Sequence, residues 1–386
     1  MNTVTVSRKA EDRLESGHPW IYLSDVTGRG QASAGEVVRV AGPKGRCLGV
    51  AHYSASSQIT LRMLSRQDEA VDRVFYLRRL QAALDHRRRV VHESDACRLV
   101  HAEGDLLPGL IVDRYGGYLV VQFLDQGMDA AKDVLVDCLR ELVEPQGILA
   151  RNDVQVRKLE SLPQESCVLA GEIPEWAAVH MNGLTLRADL LHGQKAGVYL
   201  DQRENYLAAA RWARGRALDC FTSSGGFALH MATRCESVEG VDTSSQALRA
   251  AEANRTANAV ANVTFREANA FDYLGGLAAA RRQFDTVVLD PPAFTKSRSN
   301  LDAALRGYKE INYKALKLLG PGGVLVTCSC SHHVSEGALA GVLAEAALDA
   351  GRTLRVLERR SQAQDHPILL TVPETLYLKC LICEVL

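Results

Sequence analysis

Two cysteines near the C-terminal end of the chain have the type and position that nucleophilic chemistry requires. Cys328 and Cys330 lie in the segment Thr327–His333, where an apolar run that predicts a β-strand comes to its end. A nucleophilic thiol must be partly exposed and must have a lowered pKa. We expect Cys330, at the exit of the strand, to meet these conditions, and Cys328, deeper in the strand, to be a small core residue.

A thiol of this kind can activate a pyrimidine base. Carbon C5 of cytosine is too weak a nucleophile to accept a methyl group unaided. Addition of a thiolate to C6 produces an enamine whose C5 attacks an electrophilic methyl group, and loss of the C5 proton then expels the thiolate. Cys330 is therefore our candidate nucleophile for methyl transfer to carbon.

A zinc site is the alternative use of these residues. Its ligands would come from Cys328, Cys330, His332, His333, Cys380 and Cys383. Both cysteine pairs lie in predicted strands, and Cys380 and Cys383, three residues apart, would point to opposite faces of theirs. We therefore expect no metal.

A carboxylate followed by two prolines ends the preceding predicted strand. The segment runs Asp290-Pro291-Pro292-Ala293-Phe294. Proline cannot continue a central strand, so the chain must leave the sheet at its carboxyl edge, where open α/β sheets bind ligands. Asp290 then offers a carboxylate, and Phe294 an aromatic face for an unstacked base. The alternative, a rigid turn that only ends the strand, leaves the order of residues in this segment unexplained.

A glycine pair joins an earlier strand of the same region to a helix. Gly225 and Gly226 follow Asp219, and Asp242 lies at the end of the next predicted strand. An acidic residue at that position can accept hydrogen bonds from both ribose hydroxyls of a nucleoside. A dinucleotide would need the pattern G-x-G-x-x-G for its pyrophosphate, which this loop lacks. S-adenosylmethionine carries a sulfonium and an amino acid instead of phosphates, so a polar, acidic loop favours it as the cofactor.

Strand–helix alternation from about residue 187 places these motifs on one sheet. Such alternation implies a parallel sheet that helices cover on both faces. The β-rich segment Leu376–Leu386 can supply a late antiparallel strand. The other predicted strands are Ala217–Cys220, Val238–Asp242, Val263–Glu267, Thr286–Asp290, Val324–Ser329 and Thr353–Leu357, with helices near residues 226–234, 244–257, 301–319 and 335–349.

The first part of the chain follows a different pattern. Short predicted strands indicate a small β-barrel in residues 1–67, and a long helix then opens an α+β domain in residues 68–186, before the α/β domain of residues 187–386. The first hundred residues carry 16 Lys and Arg against 11 Asp and Glu on a chain of net charge −1, which is compatible with phosphate contacts. The predicted strands are Val37–Val40, Cys47–Ala51 and Gln58–Leu64, and the helix runs from about Asp68 to Val91.

The composition excludes several classes of protein. No apolar run reaches the ~18 residues that a membrane span requires, and the N-terminal segment lacks the apolar core of a signal peptide. Ten cysteines are scattered over 386 residues, which favours reduced thiols. We therefore expect a cytoplasmic protein without a membrane partner.

Taken together, these motifs resemble those of the bacterial large-subunit ribosomal RNA cytosine-C5 methyltransferase family. The resemblance begins at His18-Pro19-Trp20 and covers nearly the whole chain. It implies an N-terminal PUA domain, a central α+β domain and a class I methyltransferase domain, which is a Rossmann-like seven-stranded sheet with its last strand antiparallel. The matching segments are Leu107–Arg114, Gly193–Gly197, Asp201–Arg203, Ser224–Phe227, Asp290–Phe294, Arg306–Asn312, Ser329–Ser331 and Asp365–Pro367.

The resemblance also implies roles for individual residues. Cys330 would be the nucleophile, and Asp290 would contact the cofactor or the N3 side of the base. The residues that would line the S-adenosyl-L-methionine pocket or close over it are Asp219, Phe221, Ser224, Gly225, Gly226, Asp242, Thr243, Asn269, Asp290, Gln194, Lys195, Asp201 and Arg203. The residues that would bind the substrate, ribosomal RNA, are Phe294, Lys296, Tyr308, Lys309, Asn312 and His366. The sequence is also compatible with a homodimer. Removal of the β-barrel is expected to leave cofactor binding nearly intact.

Two positions depart from the family pattern. Ala196 replaces the usual threonine, and Asn269 replaces an aspartate that is common at the adenine contact. Ala293 stands where many other RNA cytosine-C5 methyltransferases carry a second cysteine, and the absence of that cysteine fits this family. The nearest alternative function is methyl transfer to a guanine nitrogen, which shares the Asp-Pro-Pro-x-Phe motif but needs no thiol. A non-catalytic RNA-binding assembly factor is the alternative from another class, and a nicotinamide oxidoreductase is a distant third.

Overall fold

The computed structural model describes residues 1–295 and 300–386, without the side chains of residues 194 and 195. The chain divides into two compact units. The first comprises Met1–Ala177 and Gln364–Thr375, and the second comprises Ala178–Ala363 and Leu376–Leu386. None of the described helices combines the length and the apolar character that a membrane span needs.

A six-stranded sheet forms the N-terminal part of the first unit. Its strands are β1 (Thr3–Val6), β2 (Trp20–Tyr22), β3 (Val26–Gly28), β4 (Val37–Ala41), β5 (Cys47–Tyr53) and β6 (Ile59–Ser65), in the order β2-β6-β5-β4-β1-β3, and α1 (Arg8–Glu15) follows β1. The hydroxyl of Ser7 caps α1 by accepting a hydrogen bond from the N–H of Ala10. Val38, Val40 and Leu61 belong to the buried core of this sheet. The three strands predicted here are confirmed as β4, β5 and β6.

The remainder of the first unit is an α+β module. Its five-stranded sheet has the order β11-β10-β9-β8-β7, with β7 (Ala96–His101), β8 (Leu110–Tyr115), β9 (Tyr118–Phe123), β10 (Gly147–Arg151) and β11 (Ser166–Gly171). Its helices are α2 (Arg73–Val90), α3 (Gln126–Ala130), α4 (Lys132–Val143) and α5 (Val156–Leu159). The segment Gln364–Thr375 packs on this module: Arg87 donates to the carbonyl of Asp365 at 2.7 Å, and the Asp365 carboxylate accepts from the N–H of Arg98 at 2.8 Å.

The second unit contains the predicted α/β sheet. Its strands are β12 (Trp176–Met181, of which the first two residues belong to the first unit), β13 (Leu184–Asp189), β14 (Arg216–Cys220), β15 (Ser237–Asp242), β16 (Val263–Glu267), β17 (Phe284–Leu289), β18 (Leu319–Ser329), β19 (Leu354–Arg360) and β20 (Lys379–Val385). Its helices are α6 (Arg203–Trp212), α7 (Gly226–Met231), α8 (Ser245–Ala257), α9 (Ala270–Ala279), α10 (Leu301–Leu318) and α11 (Glu336–Asp349). β12 pairs with β13, and the other seven strands have the order β16-β15-β14-β17-β18-β20-β19. β20 runs antiparallel to both of its neighbours, as the sequence predicts.

Apolar strands explain why this sheet is the centre of the second unit. Leu218, Val287 and Leu325 of three adjacent strands are fully buried and share one core with residues of α10 and α11. α9 was not predicted, because Gly275 and Gly276 weaken the helical pattern in its short sequence.

Candidate active site

The carboxyl ends of four neighbouring strands bring the predicted motifs together. β15, β14, β17 and β18 lie side by side and parallel. Cys220 is in register with Leu289, and Leu289 is in register with Thr327. Since Asp290 and Cys330 come just after these residues, both leave the sheet at the edge where the loop after β14 begins. The site is therefore built where open α/β sheets bind ligands.

Strained backbone shapes the loop between β14 and α7. Phe221, Ser223 and Gly225 have positive φ angles of 64°, 49° and 87°. Such angles are uncommon for residues other than glycine, so the surrounding structure must hold the loop in place. The amide of Asn254 contributes by donating to the carbonyl of Ser224 at 3.0 Å. The loop is thus preformed around the start of α7.

Asp219 is fully buried beneath this loop. Its Oδ2 accepts hydrogen bonds from the hydroxyl of Thr222 at 2.6 Å and from the N–H of Ala228 at 3.0 Å. Its Oδ1 is buried and has no hydrogen-bond partner among the described residues. Burial raises the pKa of Asp219 to about 7, and the negative charge of Asp290 acts in the same direction. A buried oxygen without a partner can accept a hydrogen bond from a donor on a bound ligand, and a cationic donor suits it best.

Asp242 is held by backbone groups at the end of β15. Its two oxygens accept hydrogen bonds from the N–H of Ser223 and the N–H of Ser244, both at 2.9 Å. The carboxylate is half-buried, and Thr243 beside it is exposed. Because each carboxylate oxygen has a second lone pair, Asp242 can still accept hydrogen bonds from hydroxyls of a ligand.

Asn269 caps α9 with its side-chain oxygen. This oxygen accepts from the N–H of Phe271 at 2.9 Å and from the N–H of Asp272 at 3.4 Å. The side chain is exposed. An aspartate in the same position would keep one oxygen as an acceptor, whereas Asn269 presents its NH₂ group as a donor.

The residues predicted to close over the cofactor fall into two groups. Gln194 and Lys195 begin a short 3₁₀ turn, and their side chains lie outside the described residues. Asp201 and Arg203 are buried. The Asp201 carboxylate accepts a hydrogen bond from the hydroxyl of Tyr377 at 2.8 Å. Contacts of these four residues with a cofactor stay a prediction.

The two candidate thiols differ sharply in burial. Cys328 is fully buried in β18, whereas Cys330, just beyond the last residue of that strand, is half-buried. A hydrogen bond with the thiol of Cys380, together with burial, raises the pKa of Cys328 well above its usual value. Cys328 therefore stays protonated at neutral pH and is a poor nucleophile. Among the described residues, no group of three or more His, Cys, Asp or Glu is arranged to hold a metal ion.

Comparison with known proteins gives the family of this fold. Residues 97–382 match the S-adenosylmethionine-dependent methyltransferases. The chain belongs to this family. S-adenosylmethionine is therefore its cofactor, and residues 4–66 match a PUA-like domain, as the sequence predicts.

Similar proteins extend the comparison over the whole chain. Two proteins named ribosomal RNA large subunit methyltransferase I, from Shewanella amazonensis and Tolumonas auensis, are 40% and 39% identical to it. The first match covers 97% of this chain and 97% of the relative, and the second covers 98% of each. A solved methyltransferase in complex with SAH matches with a TM-score of 0.87 and 19% identity, over 100% of both chains. The class I methyltransferase fold is thereby confirmed.

Two predicted substrate residues of this methyltransferase support the strand end that carries Cys330. The ring of Phe294 packs on that of Tyr308, with centroids 4.6 Å apart. The buried hydroxyl of Tyr308 accepts a hydrogen bond from Ser329 at 2.9 Å and lies 3.2 Å from the hydroxyl of Ser331. Tyr308 thus holds the residues on either side of Cys330.

The other predicted substrate residues of the methyltransferase lie in varied surroundings. Asn312 is buried, donates to the carbonyl of Tyr308 at 2.8 Å, and has a side-chain oxygen without a partner among the described residues. Lys309 pairs with two carboxylates of α11, at 3.1 and 3.0 Å. His366 belongs to the first unit, where its ring lies 3.0 Å from the Asp365 carboxylate. Lys296 lies outside the described residues.

Two residues at this edge of the sheet were not predicted from the sequence. Tyr206 of α6 is buried directly against Gly226, where an added Cβ would lie 2.5 Å from its ring. Lys379 of β20 is buried opposite Ser329 of β18. The available signal for Lys379 was a lysine inside the apolar, β-rich C-terminal segment. No local pattern pointed to Tyr206.

Proposed function

We propose that this methyltransferase forms 5-methylcytosine in large-subunit ribosomal RNA. The names of its relatives and the PUA-like domain support ribosomal RNA as the substrate. The observation that carries carbon C5 as the target is the half-buried thiol of Cys330, at the sheet edge that also carries Asp290. Methyl transfer to a guanine nitrogen requires no covalent intermediate and hence no such thiol.

The carboxylates at this edge fit the cofactor. S-adenosylmethionine supplies the methyl group from its positively charged sulfonium. Asp219 would accept a hydrogen bond from the ammonium group through Oδ1, the oxygen that lacks a partner among the described residues. Asp242 would accept from the ribose hydroxyls, because backbone N–H groups already fix its orientation. The donor presented by Asn269 suits an acceptor nitrogen of the adenine ring.

Cys330 carries the covalent part of the reaction. Its thiolate adds to C6 of cytosine, and the electron pair of the C5–C6 double bond becomes available at C5 for methyl transfer. A base then removes the C5 proton, the double bond reforms, and the thiolate leaves. Asp290 would hold the N3 side of the base, and Phe294 would contact its ring.

Trapping with a fluorinated substrate tests this proposal. Ribosomal RNA that carries 5-fluorocytosine should form a covalent adduct with the wild-type enzyme and cofactor, because fluorine replaces the proton whose loss frees the enzyme. The adduct should form with Cys328→Ala and be absent with Cys330→Ala. Nucleoside mapping of ribosomal RNA from cells with and without the protein should show one 5-methylcytosine that depends on it. If cells without the protein lack a methylguanosine instead, and both thiol variants are active, the proposal is wrong and the enzyme transfers the methyl group to a guanine nitrogen.

A further inference from the structure

A buried lysine lies beside the strand end that carries Cys330. Lys379 of β20 is opposite Ser329 of β18, and 4% of its surface is exposed. Its ammonium donates hydrogen bonds to the carbonyl of Ser331 at 2.7 Å and to the carbonyl of Tyr377 at 2.8 Å. Ser331 follows Cys330 directly in the chain. The ammonium therefore contacts the residue next to the one that bears the thiol, and the charge of Cys330 acts on the pKa of Lys379.

This cation has no anionic partner within the part of the chain that the structure describes. Both of its hydrogen bonds go to neutral carbonyl groups, and an ammonium has three N–H donors. A buried charge without a counter-ion is costly, so its presence calls for a reason beyond packing. Burial lowers the pKa of Lys379 to about 8, while a negative charge on Cys330 favours the charged form of Lys379. At pH 7 the side chain is still mostly protonated.

We propose that Lys379 is a positioning residue that stabilises the thiolate of Cys330 by its charge. Because interactions between two charges are reciprocal, a thiolate that favours the charged lysine is itself favoured by that lysine. Most other ionisable groups around the strand end cannot replace it, since hydroxyls and neutral thiols carry no charge and the carboxylates have the wrong sign; these groups are Tyr308, Tyr377, Asp290, Asp201, Cys328 and Cys380. His332 can carry a positive charge, but it is exposed, so solvent and salt screen that charge more than the charge of a buried lysine.

The proposal rests on the proposed function for the use of the thiolate, but the thiolate itself can be measured without RNA. The full-length wild-type protein is alkylated with iodoacetamide between pH 5 and 10, and the peptide that contains Cys330 is quantified by mass spectrometry. The rate at Cys330 should follow a pKa clearly below the ~8.5 of a free cysteine. A pKa at or above that value overturns the proposal, and this measurement requires no variant.

Charge-altering variants then test whether Lys379 is the cause. Lys379→Met should slow alkylation of Cys330 at pH 7 by about tenfold, which corresponds to a shift of one pKa unit. Lys379→Arg, which keeps the charge, should stay close to wild type, as should Lys317→Met, an exposed lysine of α10. Methylation by Lys379→Met should have a lower kcat at neutral pH and an optimum at higher pH.

The outcomes separate the two proposals. An unchanged alkylation profile in folded Lys379→Met overturns the role of the lysine. If Lys379→Met does not fold, the pKa of Cys330 in the wild type and in Lys379→Arg provides the test. A Cys330 pKa at or above ~8.5 in either protein also overturns the role of the lysine. The enzyme could instead show a low Cys330 pKa that depends on Lys379 and yet form no 5-methylcytosine. This outcome supports the electrostatic role of Lys379 and contradicts only the proposed function.

Discussion

Cys328 lies directly opposite Cys380 in the antiparallel pair of β18 and β20, and both side chains are fully buried. Opposed residues of an antiparallel pair share one face of the sheet, so the two thiols contact each other there. Cys330, two residues beyond Cys328, lies outside the strand and is half-buried. One strand end therefore carries a packed thiol and an accessible thiol, and substitution can separate their roles.

Replacing each thiol by alanine should have opposite effects. Cys330→Ala is expected to abolish methylation while melting temperature and cofactor affinity stay near wild type, because the residue lies at the edge of the core. Cys328→Ala should keep activity and lose about 1 kcal/mol of stability to a small packing defect. Methyl incorporation into ribosomal RNA and denaturant unfolding measure these effects. An inactive Cys328→Ala beside an active Cys330→Ala would exchange the two roles.

Loss of the Asp242 carboxylate should weaken cofactor binding. The carboxylate is half-buried and already oriented by two backbone N–H groups, so its hydrogen bonds to a ligand should contribute on the order of 1.5–3 kcal/mol. Asp242→Ala is expected to raise the Kd for S-adenosylmethionine by roughly ten- to a hundredfold in calorimetry. Glu252→Ala, which removes an exposed carboxylate of α8, is the matched control. Equal affinities for Asp242→Ala and wild type would remove Asp242 from the site.

Cofactor binding should also depend on pH through Asp219. Its pKa in the folded protein is about 7, so the carboxylate is ionised above pH 7 and protonated below it. A cationic ligand group favours the ionised form, and affinity should therefore fall by up to about tenfold from pH 8 to pH 6. Calorimetry at pH 6.5 in buffers of different ionisation enthalpy should detect proton release on binding. Asp219→Asn should bind more weakly and without this pH dependence, and a pH-independent wild type would contradict the assignment.

The elements that carry the candidate chemistry could be predicted because their signals are local. Asp290 and Cys330 each follow an apolar run, and a parallel sheet necessarily brings the carboxyl ends of its strands to one edge. The roles of the individual site residues and the division into domains at residues 67 and 186 stay predictions.

The remaining features depend on contacts between distant parts of the chain. Lys379 reaches the strand end because of the register between β18 and β20. The segment Gln364–Thr375 returns to the first unit through hydrogen bonds that Asp365 accepts from Arg87 and Arg98, which lie 278 and 267 positions earlier in the chain. Neither periodicity nor a motif encodes such pairings, since the residues that meet are separated by several complete elements.

An alanine at Gly226 should destabilise the second unit. Its Cβ would lie 2.5 Å from the ring of Tyr206, which Phe227 and His230 hold in place at centroid distances of 4.7 and 5.0 Å. Such overpacking typically costs about 1–3 kcal/mol, and displacement of α7 should weaken cofactor binding as well. Gly276→Ala is the control, because its Cβ would meet no atom within 4 Å and the change should stabilise α9 by ~0.5–1 kcal/mol. Thermal unfolding with and without cofactor distinguishes the two variants.

A buried ion pair makes removal of the first 67 residues a poor test of RNA binding. Arg62 of β6 lies 2.7 Å from Glu160, and the other oxygen of Glu160 accepts from the hydroxyl of Ser54 at 2.6 Å. Both charged side chains are buried, so the truncated chain would keep Glu160 without its cation and would also lose core residues such as Leu64. Weakened RNA binding could then reflect a damaged α+β module rather than a lost contact.

Point variants of this pair should show the same effect without truncation. Arg62→Met is expected to destabilise the first unit by roughly 3–5 kcal/mol, since it leaves a buried carboxylate uncompensated. The double variant Arg62→Met/Glu160→Gln should recover part of that loss, because Glu160 no longer carries a buried charge. The buried carboxylate of Asp125, whose Oδ2 lies 3.6 Å from Arg62 in the wild type, still loses this cation in both variants. Affinity for S-adenosylmethionine should be unchanged in both, as the candidate cofactor residues lie in the second unit. Melting curves and calorimetry of the full-length proteins measure these effects, and a double variant no more stable than Arg62→Met would show that the cost does not arise from the unpaired charge of Glu160.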